Sequence, residues 1–110
     1  MSEPDFVFFA KVADIAPGKL LGREIDGVPV VVANDGGVFL AMKDVCPHQG
    51  TPLHDGSIHN GAVVCRKHAW PFDLRTGCYL RIPQIKVKCY EVKVAGDDVM
   101  VKVFKETMFA

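Results

Sequence analysis

Turn-forming residues recur so closely along this chain that they limit what it can fold into. Short apolar segments rich in Val, Ile and Phe are separated by clusters of Gly, Pro, Asn and Asp, and no window of ten or more residues has convincing helical periodicity. These turn residues tolerate the positive φ angles of tight hairpins. The pattern predicts an all-β chain, a small antiparallel sandwich or barrel, with framework strands at Phe6–Val12, Leu20–Ile25, Val28–Ala33, Val38–Lys43, Tyr90–Val94 and Val99–Phe104.

The length of 110 residues fits one domain, residues 1–110, and leaves no room for a second. Hydrophobic residues make up 49% of the chain, which is enough to build a core. Thirteen basic side chains balance thirteen acidic ones, so the composition gives no reason to expect nucleic acid as a partner. The first residues, MSEPDFVFFAKVAD, lack a basic leader and a long apolar run, so we expect a cytoplasmic protein without a membrane anchor.

The composition changes between about residues 44 and 84. This stretch contains all four histidines, three of the four cysteines and four of the seven prolines, and its apolar runs are shorter. It predicts a loop-rich subdomain inserted into the β framework, with short strands at Val63-Val64 and Phe72-Asp73-Leu74. Because functional residues concentrate on loops held by a rigid scaffold, we expect the function to lie here.

Two Cys/His pairs stand out within this subdomain. They are Cys46-x-His48 and, after sixteen intervening residues, Cys65-x-x-His68. Thiolates and imidazoles suit zinc, or iron with sulfide, far better than magnesium or calcium. A Cys2His2 zinc site commonly pairs Cys with Cys and His with His, whereas here each loop mixes the two. Two irons bridged by sulfides fit this pattern better, with two cysteines on one iron and two histidines on the other.

The two pairs and their surroundings resemble a known family. Cys46-Pro47-His48 with Cys65-Arg66-Lys67-His68 resembles the Rieske signature, and FDLRTG at 72–77 resembles the segment after the second loop in small Rieske-type ferredoxins of bacterial oxygenase systems. The resemblance implies one [2Fe–2S] cluster per chain, with Cys46 and Cys65 on the inner iron and His48 and His68 on the outer iron at the exposed tip. It also implies that Ile82-Pro83-Gln84 forms a third loop covering the cluster.

The same resemblance implies a soluble one-electron carrier rather than an enzyme. Its partners would be a flavin-containing reductase and a terminal oxygenase, which would dock transiently at the tip formed by His48 and His68. A complete oxygenase is excluded by size, because its catalytic iron needs a further 2-His-1-carboxylate set and a large pocket.

Four positions depart from the Rieske proteins of quinol-oxidising complexes. Thr51 and Lys67 stand where those proteins carry a disulfide, and Trp70 and Phe72 stand where they carry a serine and a tyrosine. Because the missing hydroxyls would donate hydrogen bonds to the cluster sulfurs, their loss should lower the reduction potential. We expect the low end of a family range of roughly −150 to +300 mV.

Other interpretations stay open at this point. The same fold occurs in the small Rieske-like subunit of assimilatory nitrite reductases, and the four ligands could instead hold a structural zinc ion in an interaction module. We expect His54 and His59 to be solvated in a polar turn around DGSIHNG, Cys78 and Cys89 to be ordinary strand thiols, and Trp70 to pack against the loops. Residues 42–84 hold five basic side chains against three Asp, a mild positive rim that either steers an acidic partner or is simply solvated.

Overall fold

Nine strands build the part of the chain that the computed structural model describes, residues 6–47 and 50–103. They are β1 (Val7–Lys11), β2 (Leu20–Ile25), β3 (Val28–Asp35), β4 (Val38–Lys43), β5 (Ser57–His59), β6 (Ala62–Val64), β7 (Pro71–Asp73), β8 (Cys89–Ala95) and β9 (Asp98–Lys102). Two short 3-10 helices span Val12–Asp14 and Leu53–Asp55, and no α-helix occurs in these two ranges. The all-β prediction is confirmed.

The strands form two antiparallel sheets. The larger has six strands in the order β1-β9-β8-β4-β3-β2 and is nearly closed like a barrel, and the smaller has three in the order β5-β6-β7. The smaller sheet lies in the chain between β4 and β8, and these two strands pair with each other through Ala41 with Tyr90 and Met42 with Cys89. The loop-rich subdomain is therefore an insertion between two neighbouring strands of the framework.

Tight turns set the register of the framework hairpins. Asp26 and Gly27 connect β2 to β3, and both have positive φ angles, 50° and 81°. Two consecutive positive φ values are typical of the two-residue hairpin turn whose twist matches that of the flanking strands. The pairing that results runs without a break from Ile25 with Val28 to Leu20 with Ala33.

Buried side chains form two hydrophobic cores on opposite faces of β3. Because side chains alternate along a strand, Val30 and Val32 enter one core while Val31 and Ala33 enter the other. The core beneath the loops, which we name the loop-side core, consists of Val31, Ala33, Met42, Cys46, Leu53, Val63, Cys65, Phe72, Leu74, Tyr79 and Val87. The other, which we name the basal core, consists of Phe9, Ala10, Ile15, Val30, Val32, Ala41, Tyr90, Val99 and Val101.

The structure differs from the sequence prediction mainly in the insertion. Residues around DGSIHNG were predicted as a polar turn, which is wrong for Ser57–His59, because these form β5 and pair with β6. Only Ile58 of β5 packs against the loop-side core, so the strand lacks the repeated apolar positions that sequence periodicity detects. The last framework strand ends at Lys102, and the predicted end at Phe104 lies outside the described residues. The helices within the described ranges are all too short to cross a membrane.

Candidate metal centre

The first Cys/His loop is closed by two backbone hydrogen bonds. The Cys46 N–H donates to the Thr51 carbonyl at 2.8 Å, and the Gly50 N–H donates to the Cys46 carbonyl at 2.7 Å. Gly50 has φ 74°, a conformation that glycine adopts without a steric penalty. These two bonds hold Gly50 and Thr51 against Cys46. His48, one of the four predicted ligands, lies outside the described residues.

The second loop connects β6 to β7 and closes in a similar way. The Cys65 N–H donates to the Trp70 carbonyl at 2.8 Å. His68 and Ala69 have φ angles of 61° and 54°, a left-handed conformation that is uncommon for residues with a Cβ. Strained backbone of this kind persists where the surrounding structure holds it, and it concentrates at functional sites. His68 is exposed at the turn of this loop.

The two loops place Cys46 and Cys65 side by side in the loop-side core. Their residues are 0% and 1% exposed, and neither forms a disulfide. Burial raises the pKa of the Cys65 thiol, and the hydrogen-bonding thiol of Cys46 raises that pKa further. Iron and zinc bind cysteine as the thiolate, so a metal bound by such a pair would displace the thiol protons.

The described residues do not complete a ligand set for a single ion. Within residues 6–47 and 50–103, no three Cys, His, Asp or Glu side chains lie close enough together to hold one metal ion. A two-iron cluster that gives each iron two protein ligands does not require such a group. The donor chemistry of the described residues fits that cluster: two adjacent buried thiols, with an imidazole exposed on the second of the two loops.

Three aromatic rings pack beside the second loop. Trp70 stacks on Tyr79 with ring centroids 4.2 Å apart and an angle of 3° between the rings, and Phe72 lies 5.5 Å from Tyr79. Trp70 is thus partly buried against the loop-side core, as the packing interpretation predicts. The sequence prediction missed Tyr79, because nothing local in the sequence shows that the chain returns to Trp70 at this position.

The third predicted loop is attached next to the second. Its turn is closed by the Ile85 N–H donating to the Ile82 carbonyl at 2.9 Å, and the Leu80 N–H donates to the Pro71 carbonyl of β7 at 3.0 Å. Leu80 and Ile82 are about half exposed. That this loop covers a cluster stays a prediction, as does the low reduction potential expected from Trp70 and Phe72.

His54 is exposed, as predicted, but it also binds a buried carboxylate that the sequence did not indicate. Its backbone N–H donates to Asp44 Oδ1 at 2.8 Å, and its Nδ1 contacts Asp44 Oδ2. Asp44 is buried just before Cys46, and His54 follows the first loop, so the pair joins the two ends of that loop. Gly22 allows this contact, because a Cβ there would lie 2.6 Å from Asp44 Oδ2. His59 is exposed, as predicted.

Comparison with known proteins decides between the metal chemistries. The Rieske [2Fe–2S] domain family matches residues 5–105. The chain belongs to the Rieske family. Its cofactor is therefore a [2Fe–2S] cluster, as the sequence predicts, and the zinc interpretation loses its support.

Relatives of this Rieske domain include ferredoxin components of oxygenase systems. It is 37% identical to the biphenyl 2,3-dioxygenase ferredoxin component of Rhodococcus jostii (strain RHA1), over 80% of this chain and 83% of that protein. It is 35% identical to the methanesulfonate monooxygenase ferredoxin subunit of Methylosulfonomonas methylovora, over 80% and 72%. The ferredoxin of carbazole 1,9a-dioxygenase from Nocardioides aromaticivorans IC177 has the same fold, with a TM-score of 0.81 and 30% identity over 92% of this chain and 98% of that one.

Proposed function

We propose that this Rieske domain is a one-electron carrier that takes electrons from a flavin-containing reductase and delivers them to a terminal oxygenase. One observation carries the proposal: two loops of similar hydrogen bonding bring a pair of buried cysteines together, and the second loop exposes a histidine. Relatives that are named ferredoxin components of oxygenase systems support the same role.

In this proposal, Cys46, His48, Cys65 and His68 hold the cluster, which when bound gains and loses one electron. Cys46 and Cys65 lie in the loop-side core, so their sulfurs are kept away from water. His68 is exposed, so a partner can approach its ring closely while the cysteines stay covered. The tip of the two loops is accordingly the proposed docking site of the reductase and of the oxygenase.

Electron paramagnetic resonance of the dithionite-reduced protein tests the ligand set. We expect a signal whose mean g lies below that of an all-cysteine [2Fe–2S] cluster, because two imidazoles bind one iron. His68→Cys should move the signal towards the all-cysteine type, and His68→Ala should abolish it. His59→Ala is the matched control and should leave it unchanged, since this exposed histidine belongs to β5. A reduced His68→Ala protein with the unaltered signal would refute the assignment.

Reconstitution tests the carrier role separately. A purified flavin-containing reductase, a terminal oxygenase and this protein, supplied with a reductant for the flavin, dioxygen and a substrate of the oxygenase, should form product at a rate that depends on the amount of this protein added. In stopped-flow measurements the visible absorbance should bleach when the reductase in its reduced form is mixed in, and it should recover when the oxidised oxygenase follows. A holoprotein with the Rieske signal that neither bleaches nor recovers with such partners would argue against this role.

A further inference from the structure

A groove with basic walls opens beside the first loop. Its volume is about 600 Å³, and it lies between the end of β4 and the segment that leads into β8. We name it the lysine groove, because Lys43, Lys86 and Lys88 line it. Pro47 of the first loop, Thr76 and Cys89 also line it, and its described lining includes no acidic side chain.

The lysine groove belongs to the positive part of a polarised molecule. Residues 43–88 contain seven Lys and Arg against three Asp, a net charge of +4, whereas the rest of the chain contains six against ten, a net charge of −4. Because the whole chain is neutral, this separation is not visible in the overall charge. Partners with acidic surfaces are steered towards the positive part.

The three Asp of the positive part all take part in described contacts. Asp44 binds His54, and Asp55 Oδ1 lies 3.5 Å from the Nε2 of the same histidine. Asp73 Oδ1 accepts the backbone N–H groups of Arg75 at 2.7 Å and Thr76 at 3.1 Å. Asp73 is the one that lies near the groove, since its charge acts on Cys89. These two hydrogen bonds hold its Oδ1 in the turn after β7.

Backbone pairing fixes the positions from which the lysines extend. The Lys43 N–H donates to the Lys88 carbonyl at 2.8 Å, which ties the end of β4 to the chain entering β8. Lys86 pairs with Cys78 through an isolated antiparallel bridge. The charge of Lys86 reaches Cys89 in the groove lining. Burial is the larger effect and raises the pKa of the Cys89 thiol, while the Lys86 charge lowers that pKa. The groove is thus lined by three lysines whose backbone positions are fixed.

We propose that the lysine groove docks an acidic segment of the redox partner, an extended stretch in which Asp or Glu side chains alternate with apolar ones. The acidic groups would meet Lys86 and Lys88, and the apolar groups would pack on Val45 and Pro47 beside them. Since Pro47 belongs to the first loop, a segment bound here lies beside the proposed cluster. The inference rests on the proposed function for the identity of this partner.

Binding of an acidic peptide to the holoprotein tests the groove. The probe is a fluorescein-labelled peptide that alternates glutamate with leucine, followed by fluorescence anisotropy. Lys86→Glu with Lys88→Glu should weaken binding by about tenfold, and added salt should weaken binding to the unsubstituted protein. Lys19→Glu with Lys93→Glu is the matched control, because it changes the net charge equally at two exposed lysines outside the groove, and it should change binding less than twofold, or by under about 0.4 kcal/mol.

The outcomes separate this inference from the proposed function. Absence of the Rieske resonance signal from the unsubstituted holoprotein would overturn the proposed function. The next comparison applies when both double variants keep that signal. If peptide binding weakened equally in the two variants, or did not weaken in the groove variant, docking at the groove would be overturned. Tighter binding of a single-stranded oligonucleotide of equal charge, lost in the groove variant, would replace the acidic protein segment with nucleic acid.

Discussion

Cys89 shows how the surroundings of one side chain control its reactivity. Its Sγ lies 3.0 Å from where a Cβ on Gly77 would be, and it donates to the Val87 carbonyl at 3.8 Å. Although Cys89 as a whole residue is exposed, partial burial of its sulfur raises the pKa of the thiol, the nearby Lys86 charge lowers it, and the charges of Asp73 and Cys78 raise it. The balance is a pKa above the ordinary value, so the reactive thiolate forms only in alkaline solution.

Alkylation by iodoacetamide should therefore be slow for Cys89 at neutral pH and rise with a midpoint above that of an ordinary thiol. Lys86→Ala should move the midpoint higher still, because it removes a positive charge that favours the thiolate. Peptide mass spectrometry of samples alkylated at several pH values measures the profile. Lys19→Ala, outside the groove, should leave it unchanged. A lower midpoint in the Lys86→Ala variant would show that the charge of Lys86 does not favour the Cys89 thiolate.

Among the structural elements, the first loop is bridged by the contact between Asp44 and His54, and we expect the loop to depend on that contact. His54→Ala removes the ring contact and keeps the backbone hydrogen bond, so one oxygen of a buried carboxylate loses its partner. We expect this to cost roughly 1–3 kcal/mol of stability. Hydrogen exchange should quicken at the Cys46 and Gly50 amides, which close the loop. His59→Ala should alter neither quantity, and unchanged exchange in the His54 variant would show that the link does not hold the loop.

The elements also show which structural features can be predicted from the sequence and which cannot. β2 and β4 have their predicted limits, because turn residues bound apolar segments at both ends. The Cys/His pairs were equally visible, since each pair is local and its chemistry is rare. The link from Asp44 to His54 and the lysine groove were not, because both depend on segments far apart in sequence. β4 must pair with β8 before Lys43 and Lys88 become neighbours.

At the scale of the whole molecule, one hairpin joins the two cores. β3 supplies Val32 to the basal core and Val31 to the loop-side core, and β4 divides Ala41 and Met42 between them in the same way. Neither core can lose its packing without disturbing strands that the other needs. We therefore propose that residues 1–110 fold as a single domain, in which the inserted subdomain does not unfold before the framework.

Matched substitutions in the two cores test this coupling. Val32→Ala and Val63→Ala each remove methyl groups from a fully buried side chain, one in the basal core and one in the loop-side core. Each should cost roughly 2 kcal/mol. In thermal unfolding of the holoprotein, the cluster absorbance and the far-ultraviolet circular dichroism should be lost together, and both variants should shift both signals equally. Val38→Ala, at a half-exposed position of β4, should shift neither. If Val63→Ala lost the cluster absorbance while the circular dichroism transition stayed in place, the subdomain would be unfolding on its own, and the single-domain proposal would be wrong.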